Sequence, residues 1–232
     1  MRDAYHQELD ALTDQLVEMT RLVGSAMSRA STALLDADLD LAESVIAADD
    51  AVDRLRDELD ERAFNLLARQ QPVATDLRTI VTSLRMSGDL ERMGDLARHV
   101  ARVARRRHPE SAVPADLRST VVEMGQVAER LVAKAGSVIA KRDVEAAVQL
   151  EKDDDQMDEL HRALFTALLS KDSPHGIEAA IDITAIGRYY ERFADHAVSV
   201  ARRVFYLVTG QLPVLLDPVT TPTVSSPSGL DR

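Results

Sequence analysis

The sequence predicts an all-α fold: two tandem, internally repeated three-helix bundles, six long helices in all, followed by a disordered C-terminal tail. Three observations carry this. Hydrophobic residues make up 45% of the chain but aromatics only 3%, with no Trp, so the apolar content is mainly Ala, Leu, Val and Ile, as in packed helices. The run from Glu91 to Arg102, Glu-Arg-Met-Gly-Asp-Leu-Ala-Arg-His-Val-Ala-Arg, returns one hundred residues later from Glu191 to Arg202 with seven of twelve positions identical. Along most of the chain, apolar residues recur at spacings of three and four.

The elements follow in order. A first helix runs from about Tyr5 to Leu35, with Leu9, Leu12, Leu16, Met19, Val23 and Met27 on one face. Asp36, Asp38 and Asp40 break it and supply an N-cap for the second helix. That helix lines up Val45, Ala48, Val52, Leu55, Leu59, Ala63 and Leu66, and stops near Gln70-Gln71-Pro72. The third starts around Val73 and runs to Arg107, where His108-Pro109 and Pro114 punctuate the chain.

The second unit repeats the first. A fourth helix from about Asp116 to Lys141 carries Leu117, Val121, Met124, Val127, Leu131 and Val138. Asp143 caps a fifth, to about Ser170, whose Leu150, Met157, Leu160 and Leu164 match Val45, Val52, Leu55 and Leu59 at an offset of 105. A sixth, from about Pro174 to Thr209, ends at Gly210. The units are residues 1–110 and 111–210, and the Pro-, Thr- and Ser-rich residues 211–232 read as the tail.

Composition narrows the function classes. A net charge of −11 argues against a nucleic-acid binder and favours cations and basic surfaces as partners. Zero Cys excludes disulfides, zinc fingers and thiol catalysis, and suits a reducing compartment. With no apolar leader and no stretch approaching the roughly 20 residues of a transmembrane segment, the expectation is a cytoplasmic protein. No Gly-rich phosphate loop, nucleophile elbow or Glu-x-x-His pair occurs, so an enzyme is not expected.

The repeat singles out eight acids: Asp49, Asp53, Glu91 and Asp95 in the first half, and Asp154, Asp158, Glu191 and Asp195 in the second. Each pair is spaced by four, which stacks two carboxylates on one helix face. With 39 acids in the chain, chance gives roughly six such pairs, so one pair means little. Recurrence in register is different, because like charges at this spacing repel by a few tenths of a kcal/mol unless a counter-ion sits between them. All-carboxylate ligands suit hard or borderline ions such as Mg, Mn, Fe or Ca. Glu91 and Asp95 lie opposite the Met86, Leu90, Met93, Ala97 and Val100 stripe and continue the face of Leu77, Val81 and Leu84. The core is therefore expected to open into a polar groove there, with Gly88 and Gly94 leaving room for ions. Arg92 and Arg192 are expected to pair with the acids, and Arg105-Arg106-Arg107 to complement the helix dipole. His99 and His196 are candidates for a metal shell, and Tyr189 and Tyr190 are expected to pack.

The run Gln71-Pro-Val-Ala-Thr-Asp76-Leu77-Arg78, then Asp89-Leu-Glu91-Arg-Met-Gly-Asp95, resembles the PhoU family of phosphate-signalling regulators, and Arg188-Tyr-Tyr-Glu191-Arg-Phe-Ala-Asp195-His196-Ala197 is similar to its second-half signature. The resemblance spans about residues 5 to 210. It implies two tandem three-helix bundles, and metal at the eight acids named above: Fe, Mn, Mg or Zn, in clusters that can be multinuclear. It further implies a cytoplasmic homodimer that reports the state of the high-affinity phosphate ABC transporter to a sensor histidine kinase, contacting the transporter's ATPase subunit and the kinase's PAS region, and that holds the response off when phosphate is plentiful. Two departures, Ser173-Pro174-His175 in place of the Gln-Pro-to-Arg run and Tyr189-Tyr190 in place of Asp89-Leu90, leave room for the two sites to differ in occupancy or metal. The rival readings are a di-metal carboxylate enzyme and a metal-free helical scaffold.

Overall fold

The computed structural model describes residues 2–170 and 175–211, with side chains from Tyr5 onward. The tail beyond Gln211, together with Ser173 and Pro174, lies outside the described residues. The described residues form helices alone: α1 (Arg2–Asp36), α2 (Leu39–Ala48), α3 (Asp50–Gln70), α4 (Ala74–Arg107), α5 (Arg118–Lys141), α6 (Val144–Asp153), α7 (Asp155–Leu168) and α8 (Ile177–Thr209). α2 with α3, and α6 with α7, are the expected second and fifth helices, each interrupted at one residue.

The duplication extends to the caps. Asp38 and Asp143 are N-caps in extended conformation, and each carboxylate accepts a hydrogen bond from a backbone N–H three residues on, Leu41 and Ala146. The residues before them, Ala37 and Arg142, both take the left-handed conformation at φ 52°. Gly210 ends α8 at φ 73°, where a residue without Cβ is least strained.

The interruptions fall on Asp49 and Asp154. Both keep right-handed helical angles, but their carbonyls accept from the N–H groups three residues on, Val52 at 2.9 Å and Met157 at 2.8 Å, with longer bonds to Asp53 and Asp158. This local tightening is a turn of 3₁₀ character, and it changes which side chain points inward. Ala48, expected on the buried stripe, is exposed, and Asp49 is 8% exposed.

α1 packs against both α4 and α5, and α8 against both α4 and α5, so these four long helices close into a ring. The α2–α3 rod covers the α1–α4 edge and the α6–α7 rod covers the α5–α8 edge. One apolar cluster runs from Leu9 through Val204 and takes in both units. As members of the ring with a rod laid over them, α4 and α8 are buried round much of their circumference, which is why α4 buries Thr79, Thr82, Ser83 and Ser87 among its apolar residues. Leu77, expected to begin an inner face with Val81 and Leu84, is instead 40% exposed, and the other two are half-buried.

Between α1 and α5 the backbones approach closely. A Cβ on Gly136 would lie 2.5 Å from Thr20 Oγ1, and one on Gly24 would lie 3.1 Å from Val132 Cγ1. Beside that seam the Tyr190 hydroxyl of α8 meets Ser31 Oγ of α1 at 2.6 Å; Ser31 donates to the Met27 carbonyl, leaving the phenol to donate. α4 and α8 are joined by charge: Asp89 accepts from Arg203 Nε at 2.5 Å and from His196 Nδ1 at 3.2 Å, and Arg106 and Arg107 both clamp the buried Asp182. Gly136→Ala is expected to force α1 and α5 apart and cost about 1–3 kcal/mol, read as a lower midpoint in urea denaturation at unchanged helical content.

Candidate functional site

Each half gathers its four acids where the interrupted rod crosses the last long helix of its trio. In the first half, Asp49 at the α2–α3 junction faces α4: a Cβ on Gly94 would sit 3.5 Å from Asp49 Oδ1, an ordinary contact. Gly94 thus leaves space beside the acid, whereas Gly88 has nothing near its Cβ position and does not border the site. Glu91 and Asp95 are half-buried on α4, and Asp53 is exposed at the rim.

The first quartet is crossed by an internal cation. The Arg98 guanidinium reaches Asp49 through Nη1 and Asp95 through Nη2, joining the rod to α4. Arg92 contacts Asp95 at 3.1 Å and Glu91 at 3.7 Å, and Arg56 approaches Glu91 at 3.9 Å. Burial pushes the Asp49 carboxyl above its usual range, Arg98 pulls it back, and Asp53, Asp95 and Asp50 add to the rise. Glu91 is raised by burial and then by Asp95, with Arg92 and Arg56 opposing.

Among the described residues the second quartet has no such bridge. Asp154 is pushed up to about 7, first by burial and then by the charges of Asp158, Asp195, Asp155 and Glu191. Its Oδ1 is buried with no hydrogen-bond partner. Glu191 is raised by burial and Asp195, against which Arg188 and His161 act. Arg188 holds both Glu191 oxygens at 2.7 Å from three residues away on the same helix, with its side chain 56% exposed. Asp158 and Asp195 are exposed, so this quartet is the more open of the two.

His161 belongs to the second cluster and was not among the residues singled out from the sequence. It shares a face of α7 with Asp154 and Asp158 at spacings of seven and three, its ring lies edge-on to Phe165, and its Nε2 is buried without a partner. The signal was present: at the offset of 105 it stands where the first half has Arg56. The histidines that were singled out lie elsewhere, His196 against Asp89 and His99 stacked on Tyr189 at 5.2 Å. Arg92 does pair with the acids. Arg98, which closes the first site, had not been anticipated.

Among the described residues, no three carboxylate or imidazole groups already stand in a metal-holding arrangement. The second cluster nonetheless fits a hard or borderline ion by its donor set: four carboxylates and an imidazole, with two buried polar atoms lacking any other partner.

Fold and site define a class: a repeat-built, all-helical protein whose polar centres are carboxylate clusters between rods. The PhoU domain family model matches residues 16–104 and 121–204. A phosphate-specific transport system accessory protein, PhoU homolog 2 of Mycobacterium tuberculosis, is 51% identical over 92% of this chain and 100% of its own length. PhoU homolog 1 of Mycobacterium leprae is 50% identical over 92% and 96%. The crystal structure of PhoU from Pseudomonas aeruginosa superposes with a TM-score of 0.82 at 33% identity, over 89% of this chain and 100% of that one. The chain belongs to the PhoU family. Its relatives are named as accessory and regulatory proteins. Among the described residues, no helix is long and apolar enough to cross a membrane.

The raised Asp154 predicts a pH dependence. Its carboxyl keeps its proton in the folded state up to about pH 7, whereas the unfolded chain has lost it above its ordinary value of 3.8. In that window the folded state binds the extra proton, so stability of the metal-free protein falls as pH rises from 5 to 8. Asp154→Asn cannot ionise; thermal denaturation across that range is expected to show a flatter slope than wild type and a higher Tm at pH 8.

Proposed function

We propose that this chain is a cytoplasmic regulator of phosphate uptake and phosphate-starvation signalling, coupling the high-affinity phosphate ABC transporter to a sensor histidine kinase and repressing the response while phosphate is plentiful. On this reading it works as a homodimer, and its partners are the transporter's ATPase subunit and the kinase's PAS region. One observation carries the reading: both repeats match, nearly end to end, proteins named as accessories of phosphate-specific transport. The interlocking of the two halves through the α1–α4–α8–α5 ring supports it, because a single rigid body suits a protein that transmits contact between partners.

The carboxylate clusters belong to the same reading as binding sites for divalent or trivalent ions, Fe, Mn, Mg or Zn, alone or in multinuclear clusters. Supporting this are the recurrence of acids in register and the burial, joined by repulsion from neighbouring acids, that raises Asp154 and Glu191. A bound cation would relieve that repulsion and brace the rod against the last helix of its trio.

Deleting the gene in its native cell is expected to switch phosphate-starvation genes on in high phosphate, read as at least a several-fold rise in reporter transcription. Genes that stay repressed in the deletion strain, with a wild-type transporter and kinase, would show that the chain does not hold the response off.

A further inference from the structure

We propose that the outer face shared by the start of α8 and the end of α4 is a docking surface for an acidic amphipathic helix of a partner protein. This goes beyond the regulatory reading and does not depend on which protein supplies the helix.

Two isoleucines left in solvent mark the place. Ile177 and Ile181 are 82% and 61% exposed, and they share one side of α8 with Thr184 and Arg188 at spacings of four, three and four. With Ala180, Ala185 and Tyr189 they line a shallow trough of about 600 Å³ whose surface is mostly apolar. Large apolar side chains grouped beside small ones suit a helix that lays its own i, i+3, i+4 and i+7 residues into the trough.

Cations border the trough. α4 runs antiparallel beside this stretch: Arg107 reaches Glu178, Arg106 and Arg107 hold Asp182, and His99 stacks on Tyr189. Arg102 stands between His99 and Arg106 on that face of α4, with Arg105 one turn further on. Arg102 and Arg105 are exposed, and among the described residues neither has an ion-pair or hydrogen-bond partner. Arg106 and Arg188 keep more than half of their side chains exposed despite their own pairs. His99 is held below its usual range by burial and then by Arg102 and Arg98, the mark of a locally positive field. The acids nearby, Glu178, Asp182 and Glu191, are each already engaged by arginine, so the unmatched charge is positive in a chain of net −11.

The duplication does not by itself require this pairing of apolar and basic surface. At the offset of 100, Ile177 and Ile181 correspond to Leu77, 40% exposed, and Val81, half-buried. The end of α8, which Arg78 meets at Tyr206, has Arg202, Phe205 and Tyr206 where α4 has Arg102, Arg105 and Arg106, and Arg202 is paired with Glu151. Carboxylates on the incoming helix would find free guanidinium groups only at the Ile177 end. An anionic bilayer fits less well: it meets the field of the whole acidic molecule, whereas a helix within a Debye length of about 10 Å senses mainly these arginines.

The test titrates the full chain, by fluorescence anisotropy, into a labelled peptide of about 18 residues, five helical turns, with Leu at i, i+3, i+4 and i+7 and Glu on the flanks. A second peptide has Lys in place of every Glu, and a third scrambles the first. The Glu peptide is expected to bind, at least tenfold more tightly than either control, and to weaken at least tenfold as salt rises from about 0.05 to about 0.5 M. Ile181→Asp, and Arg102→Glu with Arg105→Glu, are each expected to cost at least tenfold in affinity, while Leu77→Asp leaves it unchanged. Circular dichroism checks that each variant is folded. No binding by wild type, equal binding of the Glu and Lys peptides, or variants that bind as wild type does, would overturn the proposal. Two other outcomes overturn it by naming a different occupant. Phosphatidylglycerol vesicles bound by wild type and released by Ile181→Asp would make it a membrane, and a lower mass for Ile181→Asp in sedimentation equilibrium would make it a second copy of this chain.

Discussion

The rest of the structure depends on α4 and α8 each having to lie between a partner in the ring and a rod from its own half. A helix in that position has little solvent-facing surface, so polar residues along it must find partners inside the protein. α8 answers with Tyr190 on Ser31, His196 and Arg203 on Asp89, and Asp182 under Arg106 and Arg107, all across the boundary between the halves. These contacts, with the close approach of α1 and α5 at Gly136 and Gly24, fix the two trios against each other.

The carboxylate clusters arise from the same geometry. Each rod is interrupted where an aspartate's carbonyl accepts from the N–H three residues on, tightening the turn. That turn carries Asp49, and its counterpart Asp154, toward α4 and α8, onto faces that already bear a glutamate and an aspartate one turn apart. Burial, and then the charge of neighbouring acids, raise Asp49, Glu91, Asp154 and Glu191 above their usual range. Two remedies are available in chemistry: a cation from the protein's own chain, or a cation from solution. The first half has adopted one in Arg98.

Much of the fold could be read in advance because helix stripes are local. Leu9 to Met27 and Leu117 to Val138 are buried as their spacing requires, and the caps at Asp38, Asp143 and Gly210 stand where short-range backbone chemistry puts them. The interruptions at Asp49 and Asp154 could not be read, because the apolar spacing runs across them and the tightened turn depends on what the rod leans against. Leu77 shows the same limit: its period matched an inner face, but the period of a ring helix does not say which stretch the rod covers.

By itself the sequence determined the helical class, the duplication, the membership of each acid quartet and the family, since these depend on composition, on spacing within a helix and on likeness between stretches of chain. Only the tertiary structure decided what stands opposite each quartet. Arg98 and His161 are unremarkable in sequence, one a surface-type base and the other a lone histidine, and they gain meaning from a neighbour 49 residues away in one case and an acid on another helix in the other. The physical reason is that a carboxylate's state is set by burial and by the charges within a few ångströms, and those are properties of packed helices rather than of a chain.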